Sequence, residues 1–296
     1  MEAMDAFVNV SCKAVLFDMD GTLVDSTRVV ELAWGWWAAR HDLPLQTILS
    51  FSHGRPTIAT MEHFFPARDH TEELKEMEHY EETQLEGIVA VPGAAQVVHA
   101  LQNHPWGIVT SAWRTLAEAR IIAAGLPLPK VIVPVDEIRK GKPEPDGFLR
   151  AAERLGVAPE ECLAFEDTRP GIEAGLNAGM QVVGLLTTVP AEQLRHRPLI
   201  RDFRDVTIQF DGERLKVELV DQSQVIGERG APLPASPVMQ SRNRRISGLS
   251  SLFGAHQAVA KHSNEDDRSE QEAAKKAGLA TAKKAAHGKA VTRSAP

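Results

Sequence analysis

Two carboxylates two residues apart, Asp18 and Asp20, stand directly behind the apolar run Ala14-Val15-Leu16-Phe17. Four apolar residues feeding a Gly-containing turn read as a parallel strand buried on both faces. Its C-terminal end opens on the crevice where open α/β sheets bind ligands. A carboxylate placed there can attack phosphorus and carry an aspartyl phosphate. The second can pass a proton to the leaving oxygen. Asp18-Met19-Asp20-Gly21-Thr22 is equally a composition that ordinary turns adopt. The rest of the chain has to decide between the two.

Three further groups of residues supply matching chemistry. Val109-Thr110-Ser111 closes a second apolar run, Lys142 sits in Gly141-Lys142-Pro143-Glu144-Pro145, and Glu166-Asp167 follow Leu163–Phe165 and precede Gly171, Ala174, Gly175 and Gly179. With Asp18–Ser26, these groups resemble, in order, the four motifs of the haloacid-dehalogenase-like phosphatases, over roughly Lys13 to Val220. The resemblance implies a Mg²⁺-dependent enzyme working through a phospho-aspartate. Asp18 would be the nucleophile, and Asp20 the acid for the leaving oxygen and then the base for water. Thr110, helped by backbone donors around Ser111, would bind a phosphoryl oxygen. Lys142 would hold nucleophile and phosphoryl group together with its fixed charge. The Asp18 carboxylate, the Asp20 carbonyl, Glu166 and Asp167 would form a hard oxygen site suited to Mg²⁺. Carboxylates this close repel one another without a cation. Whether Glu166 or Asp167 binds the metal directly stays open.

Asp20 separates this chain from the dehalogenases of the superfamily, which lack the second Asp. The phosphonate-cleaving relatives use a Schiff-base lysine, and Lys75, in an acidic stretch expected to face solvent, is the only Lys between Ser26 and Ala95. Leu49–Thr57, Glu31–Trp34 and Val91–Ala94 are similar to segments of glycerol-phosphate, 2-deoxyglucose-6-phosphate and bacterial sugar phosphatases. His53, Gly54 and Arg55 are the candidates for closing over a polyol end. Thr110–Arg114 departs from that subgroup's usual Gly at Ala112 but keeps Arg114, a further candidate for substrate binding. The substrate so implied is a small phosphorylated sugar or polyol, such as glycerol phosphate or a hexose 6-phosphate. A hexose-phosphate mutase of the same superfamily would keep every core residue. A non-catalytic regulatory protein acting through its tail would have no need of the full set.

The elements that must position these residues follow from periodicity. Apolar runs at Ala14–Phe17, Gly107–Val109, Val131–Val133, Leu163–Phe165 and Val182–Leu186 alternate with helical stretches at Ala94–Leu101, Thr115–Ala124, Asp146–Leu155 and Pro170–Ala178. This alternation predicts an α/β fold with a Rossmann-like parallel sheet. Between Ser26 and Pro92 the pattern is helical throughout, too long for a structureless loop. It reads as an inserted helical cap domain, with Trp34, Trp36 and Trp37 as core rather than a sugar platform. The expected organisation is core over residues 1–25, cap over 26–92, core over 93–220 and a disordered basic tail over 221–296, where few large apolar residues offset the ordering entropy.

Composition bounds the rest. Residues 221–296 hold 12 Lys and Arg against 7 Asp and Glu, so of the overall −7 a charge of −12 falls on residues 1–220. A body that acidic is not expected to bind nucleic acid. Cys12 and Cys162 alone provide neither a disulfide framework nor a cysteine zinc site. No apolar stretch approaches the ~18 residues of a membrane span, and Glu2 and Asp5 speak against a secretory leader. A cytoplasmic monomer with no membrane partner is the expectation.

Overall fold

The computed structural model describes residues 6–222. The expected tail lies outside them, apart from Asp221 and Gln222. In chain order, strands β1 (Ala6–Cys12), β2 (Ala14–Phe17) and β3 (Val24–Asp25) lead into helices α1 (Thr27–Arg40), α2 (Leu45–Ser52), α3 (Thr57–Phe64) and α4 (Thr71–Thr83). The chain continues through β4 (Val89–Ala90), α5 (Ala94–Ala100), β5 (Trp106–Val109), α6 (Arg114–Ala123), β6 (Val131–Val133), α7 (Asp146–Leu155), β7 (Cys162–Glu166) and α8 (Arg169–Asn177). It closes with β8 (Gln181–Leu185), α9 (Ala191–Leu194), β9 (Leu199–Ile200), β10 (Val206–Phe210) and β11 (Leu215–Asp221).

Six strands form a parallel sheet in the order β6-β5-β2-β7-β8-β9. Its central strand is buried on both faces because alternate side chains point to opposite sides. Val15 and Phe17 enter a core with α5, α6 and β11, where Phe17 stacks on Phe165 at 5.2 Å between ring centroids. Ala14 and Leu16 enter a second core with α7 and α8. The helix ends follow local chemistry: α7 stops at Gly156, and α8 starts behind Thr168, whose hydroxyl accepts from Gly171 N at 3.3 Å.

A second, antiparallel sheet in the order β1-β11-β10 was not anticipated from the sequence. In β11, Leu215, Val217 and Leu219 face the core while Lys216 and Glu218 are exposed, the alternation of a sheet solvated on one side.

Helices α1–α4 enclose a core of their own, which includes Trp34, Trp37, Ile48, Met61 and Met77. Trp34 and Trp37 meet edge-on at 5.7 Å and are buried, so they fill a core as the sequence suggested. The chain leaves for these helices through β3 and returns through β4, and the two strands pair, Val24 with Ala90 and Asp25 with Val89.

Candidate active site

The order of the parallel sheet creates the crevice. From β2 the chain builds outward through β5 and β6 on one side, then crosses to β7 on the other. The C-terminal ends of β2, β5 and β7 therefore flank a topological switch point, where open α/β sheets hold ligands. Asp18 follows β2, Thr110 follows β5, Glu166 ends β7 and Asp167 follows it. The loop after β6 delivers Lys142.

Asp18, Glu166 and Asp167 are all buried, and carboxylate oxygens from the three lie within 4.8 Å of one another. Lys142 Nζ donates to Asp18 Oδ1, forms an ion pair with Glu166, and reaches the Val109 carbonyl at 3.3 Å. The two anions hold the lysine protonated against the opposing effect of burial. Burial pushes the Asp18 carboxyl well above its ordinary range, with Lys142 pulling it back down. Asp167 is pushed up to about 7 by burial and by the Glu166 charge. Its Oδ1 accepts from Thr22 Oγ1 at 3.0 Å. Its Oδ2 is buried without a hydrogen bond of good geometry, with the Thr188 hydroxyl nearby. Gly21 makes this approach feasible: its φ is +86°, and a Cβ there would strike both the Asp167 carboxylate and the Thr188 hydroxyl. Glu166 Oε2 accepts from the backbone nitrogens of Asp167 and Thr168 at 3.1 and 3.4 Å, which fixes its orientation.

This donor set fits a small divalent cation. It offers three clustered carboxylates and one ammonium, an excess of anionic oxygen, and hard oxygens are what Mg²⁺ takes.

Asp20 lends no carboxylate to the cluster. Its Oδ1 accepts from Ser26 Oγ at 2.5 Å and its Oδ2 from Arg120 Nη1 at 2.9 Å. Thr110 is buried, and its Oγ1 accepts from Ala112 N at 3.1 Å.

The loop after α2 closes on the body at several points. Ser111 Oγ donates to the Gly54 carbonyl at 3.1 Å. Gly54 has φ of +74°, and a Cβ on it would overlap the Thr168 side chain. Pro56 packs against Gly141, beside Lys142. His53 ends α2. Arg55 folds back: its guanidinium lies 4.4 Å from the Phe51 ring centroid and donates to the Phe51 carbonyl at 2.7 Å. His53, Gly54 and Arg55 thus lie in the segment that meets the body at Gly54 and Pro56.

Arg114 is not brought to this cluster. Each of its guanidinium nitrogens is engaged elsewhere, with Glu137 at 2.5 Å, Glu118 at 3.1 Å and the Ile132 carbonyl at 3.0 Å. Four residues that the sequence reading gave no role, Thr22, Ser26, Arg120 and Glu81, instead touch the site or its supports. Arg120 carried a readable signal, a charge on the apolar stripe of Leu116, Ala117 and Ile121.

Comparisons with known proteins agree with this geometry. Residues 12–179 match the model of the haloacid dehalogenase-like hydrolase family. Hexitol phosphatase A of Escherichia coli (strain K12) is 42% identical over 194 residues, 64% of this chain and 90% of that protein. Validoxylamine A 7'-phosphate phosphatase of Streptomyces hygroscopicus subsp. limoneus is 36% identical over 203 residues, covering 66% and 95% of the two chains. A solved HAD hydrolase, family IA, variant 3, from Entamoeba histolytica HM-1:IMSS superposes with a TM-score of 0.57 at 30% identity, over 66% of this chain and 95% of its own. With the motifs in order on the sheet and more than half its length matched, the chain belongs to the haloacid dehalogenase-like hydrolases.

Proposed function

We propose that the protein hydrolyses phosphate monoesters of small sugars or polyols, hexitol phosphates foremost, through a phospho-aspartate on Asp18 and with Mg²⁺ as cofactor. The observation that carries the chemistry is the buried Asp18 carboxylate, held by Lys142 within a carboxylate cluster at the switch point. The substrate class rests on the similarity to a hexitol phosphatase along nearly all of that protein's length.

Asp18 attacks phosphorus, the ester P–O bond breaks, and the leaving oxygen takes the proton of Asp20. Asp20, now a carboxylate, accepts a proton from the water that cleaves the aspartyl phosphate. Lys142 offsets the charge of Asp18 and of the transferring group. The Thr110 hydroxyl and the Ser111 backbone amide hold phosphoryl oxygens. Asp18, Glu166, Asp167 and the Asp20 carbonyl would hold Mg²⁺, which supplies the charge that draws phosphoryl oxygens into so acidic a crevice.

The direct test is incubation of a hexitol phosphate with enzyme and Mg²⁺. Inorganic phosphate should appear in stoichiometric amount with no bisphosphate requirement, whereas isomer interconversion without phosphate release would assign the chain to the mutases. The loop after α2 should set selectivity. His53→Ala and Arg55→Ala should lower kcat/KM for the hexitol ester by about tenfold or more, the size of a lost hydrogen bond to a charged or partly charged group. The rate with p-nitrophenyl phosphate, whose aryl group offers no hydroxyls, should stay within about twofold. Equal losses on both esters in folded variants would remove the loop from recognition.

Mg²⁺ should also stabilise the fold. At a hundredfold excess over Kd the gain is about 2.7 kcal/mol, or roughly 5–10 °C in Tm for a body of this size. The pH dependence has a definite sign. A carboxyl raised to about 7, as in Asp167, favours the fold below the ordinary carboxylate range and loses that contribution as pH climbs toward 7. The metal-free protein therefore weakens with rising pH, and the Mg²⁺-induced rise in Tm should be larger near about pH 8 than near about pH 5.5. A rise independent of pH would show that these carboxylates are not the ligands.

A further inference from the structure

Arg120 joins the partly buried Asp20 to the helical insertion through a charge network whose other two members are buried. It lies on α6 and is 3% exposed. Its Nη1 donates to Asp20 Oδ2 at 2.9 Å, and its Nη2 donates to Glu81 Oε1, also at 2.9 Å. Glu81 is on α4 and 5% exposed. One residue further on, Glu82 Oε1 accepts from Trp113 Nε1 at 2.8 Å and from Thr115 Oγ1 at 2.5 Å. The C-terminal end of α4 is therefore docked along α6 at two places, and one of them continues to Asp20.

Stability alone accounts poorly for this arrangement. Arg120 replaces an apolar residue on the buried stripe of Leu116, Ala117 and Ile121, and Glu81 does the same beside Met77. A buried ion pair is often no more stabilising than apolar side chains of similar volume. Arg120 Nε is also buried without a hydrogen-bond partner, and an incompletely satisfied polar network is worse than an apolar seam. What arginine adds is a planar fork with two separate nitrogens for two carboxylates, which a single ammonium cannot supply.

We propose that Arg120 is a positioning residue for the Asp20 carboxyl, and that Glu81 makes its hold depend on the docked α4. The proposal rests on the reading of Asp20 as the group that protonates the leaving oxygen. As that proton moves to the ester oxygen, negative charge develops on Asp20 beside the guanidinium. Withdrawal of α4 removes Glu81, and the guanidinium is then no longer fixed from both ends.

The test exploits the leaving group, because an alkoxide needs a proton and a dinitrophenolate does not. Arg120→Met combined with Glu81→Leu removes both buried charges, and Asp20, partly exposed, keeps its Ser26 hydrogen bond while its Oδ2 loses the guanidinium. With Mg²⁺ present, kcat for a hexitol phosphate should fall about thirtyfold or more, within the usual range of general acid catalysis, while KM stays unchanged. The burst rate with dinitrophenyl phosphate, which reports phosphoryl transfer to Asp18 alone, should stay within about threefold of wild type. Arg120→Lys retains the buried charge but replaces the planar two-nitrogen fork with a single nitrogen on a differently shaped side chain. It should show the same selective loss at about tenfold, and it decides the matter if the double variant does not fold. Asp20→Asn is the reference. Selective loss in Asp20→Asn but equal losses, or none, in the Arg120 variants overturns the positioning role alone. Equal loss on both esters in Asp20→Asn overturns the acid reading, and the proposal with it.

Discussion

Asp18→Asn should leave less than about a thousandth of the wild-type kcat, a loss of at least ~4 kcal/mol of transition-state stabilisation. The amide has nearly the shape of the carboxylate, so the site should survive. Asn keeps an oxygen that can accept from Lys142 Nζ, which already meets Asp18 Oδ1. What it lacks is the anionic oxygen that the proposed mechanism bonds to phosphorus, so no acyl phosphate could form. Substrate should still bind, and removal of one negative charge from a crowded acidic cluster should make phosphate esters bind as well or better. Chemical quench with a radiolabelled ester should trap labelled protein for wild type and none for the variant. A variant with more than about a hundredth of the wild-type kcat would place the nucleophile elsewhere.

Much of the body was legible because the features that set it are local. Strands buried on both faces are continuous apolar runs, so β2 and β6 coincide with Ala14–Phe17 and Val131–Val133. Helix α7 coincides with Asp146–Leu155 because Pro145 and Gly156 bracket it. The antiparallel sheet was missed although a signal was there. Asp211-Gly212 separates Val206–Phe210 from Leu215-Lys216-Val217-Glu218-Leu219, a hairpin turn between period-two segments. The pairing of Ala6 with Asp221 joins the two ends of the described chain and has no local mark at all. Arg114 was a candidate because the stretch from Thr110 resembles that of the sugar phosphatases, and the fold engages its guanidinium away from the carboxylate cluster. Helix α6 begins at Arg114 itself and aims it at Glu118, one turn on, and at Glu137. The partners of Arg120 lie 100 and 39 positions away in the chain, so only the fold shows what that buried charge meets.

Lys142→Met should damage both stability and rate, and the two effects should respond differently to Mg²⁺. Methionine keeps most of the volume beside the Phe148 ring, 5.7 Å from the ammonium, so no large cavity forms. The charge is what goes. Lys142 is the cation that the structure places against Asp18 and Glu166, and removing one partner of a buried ion pair costs about 3–5 kcal/mol. Without it the folded-state pKa values of Asp18 and Asp167, which Lys142 pulls down, rise further above their unfolded values. Such groups favour folding at low pH and lose that contribution as pH climbs through the folded-state value. In EDTA, the destabilisation read from urea melts should therefore be larger at about pH 8 than at about pH 5.5. Mg²⁺ should restore part of the stability, because it supplies positive charge to the same carboxylates. It should not restore turnover, because in the proposed mechanism the ammonium is the charge that bridges nucleophile and phosphoryl group, and kcat should remain about 10²–10³-fold down. Recovery of both by Mg²⁺ would make Lys142 a structural counter-ion only. A destabilisation that ignores pH would mean that the carboxylates at the ends of β2 and β7 do not feel one another as their geometry requires.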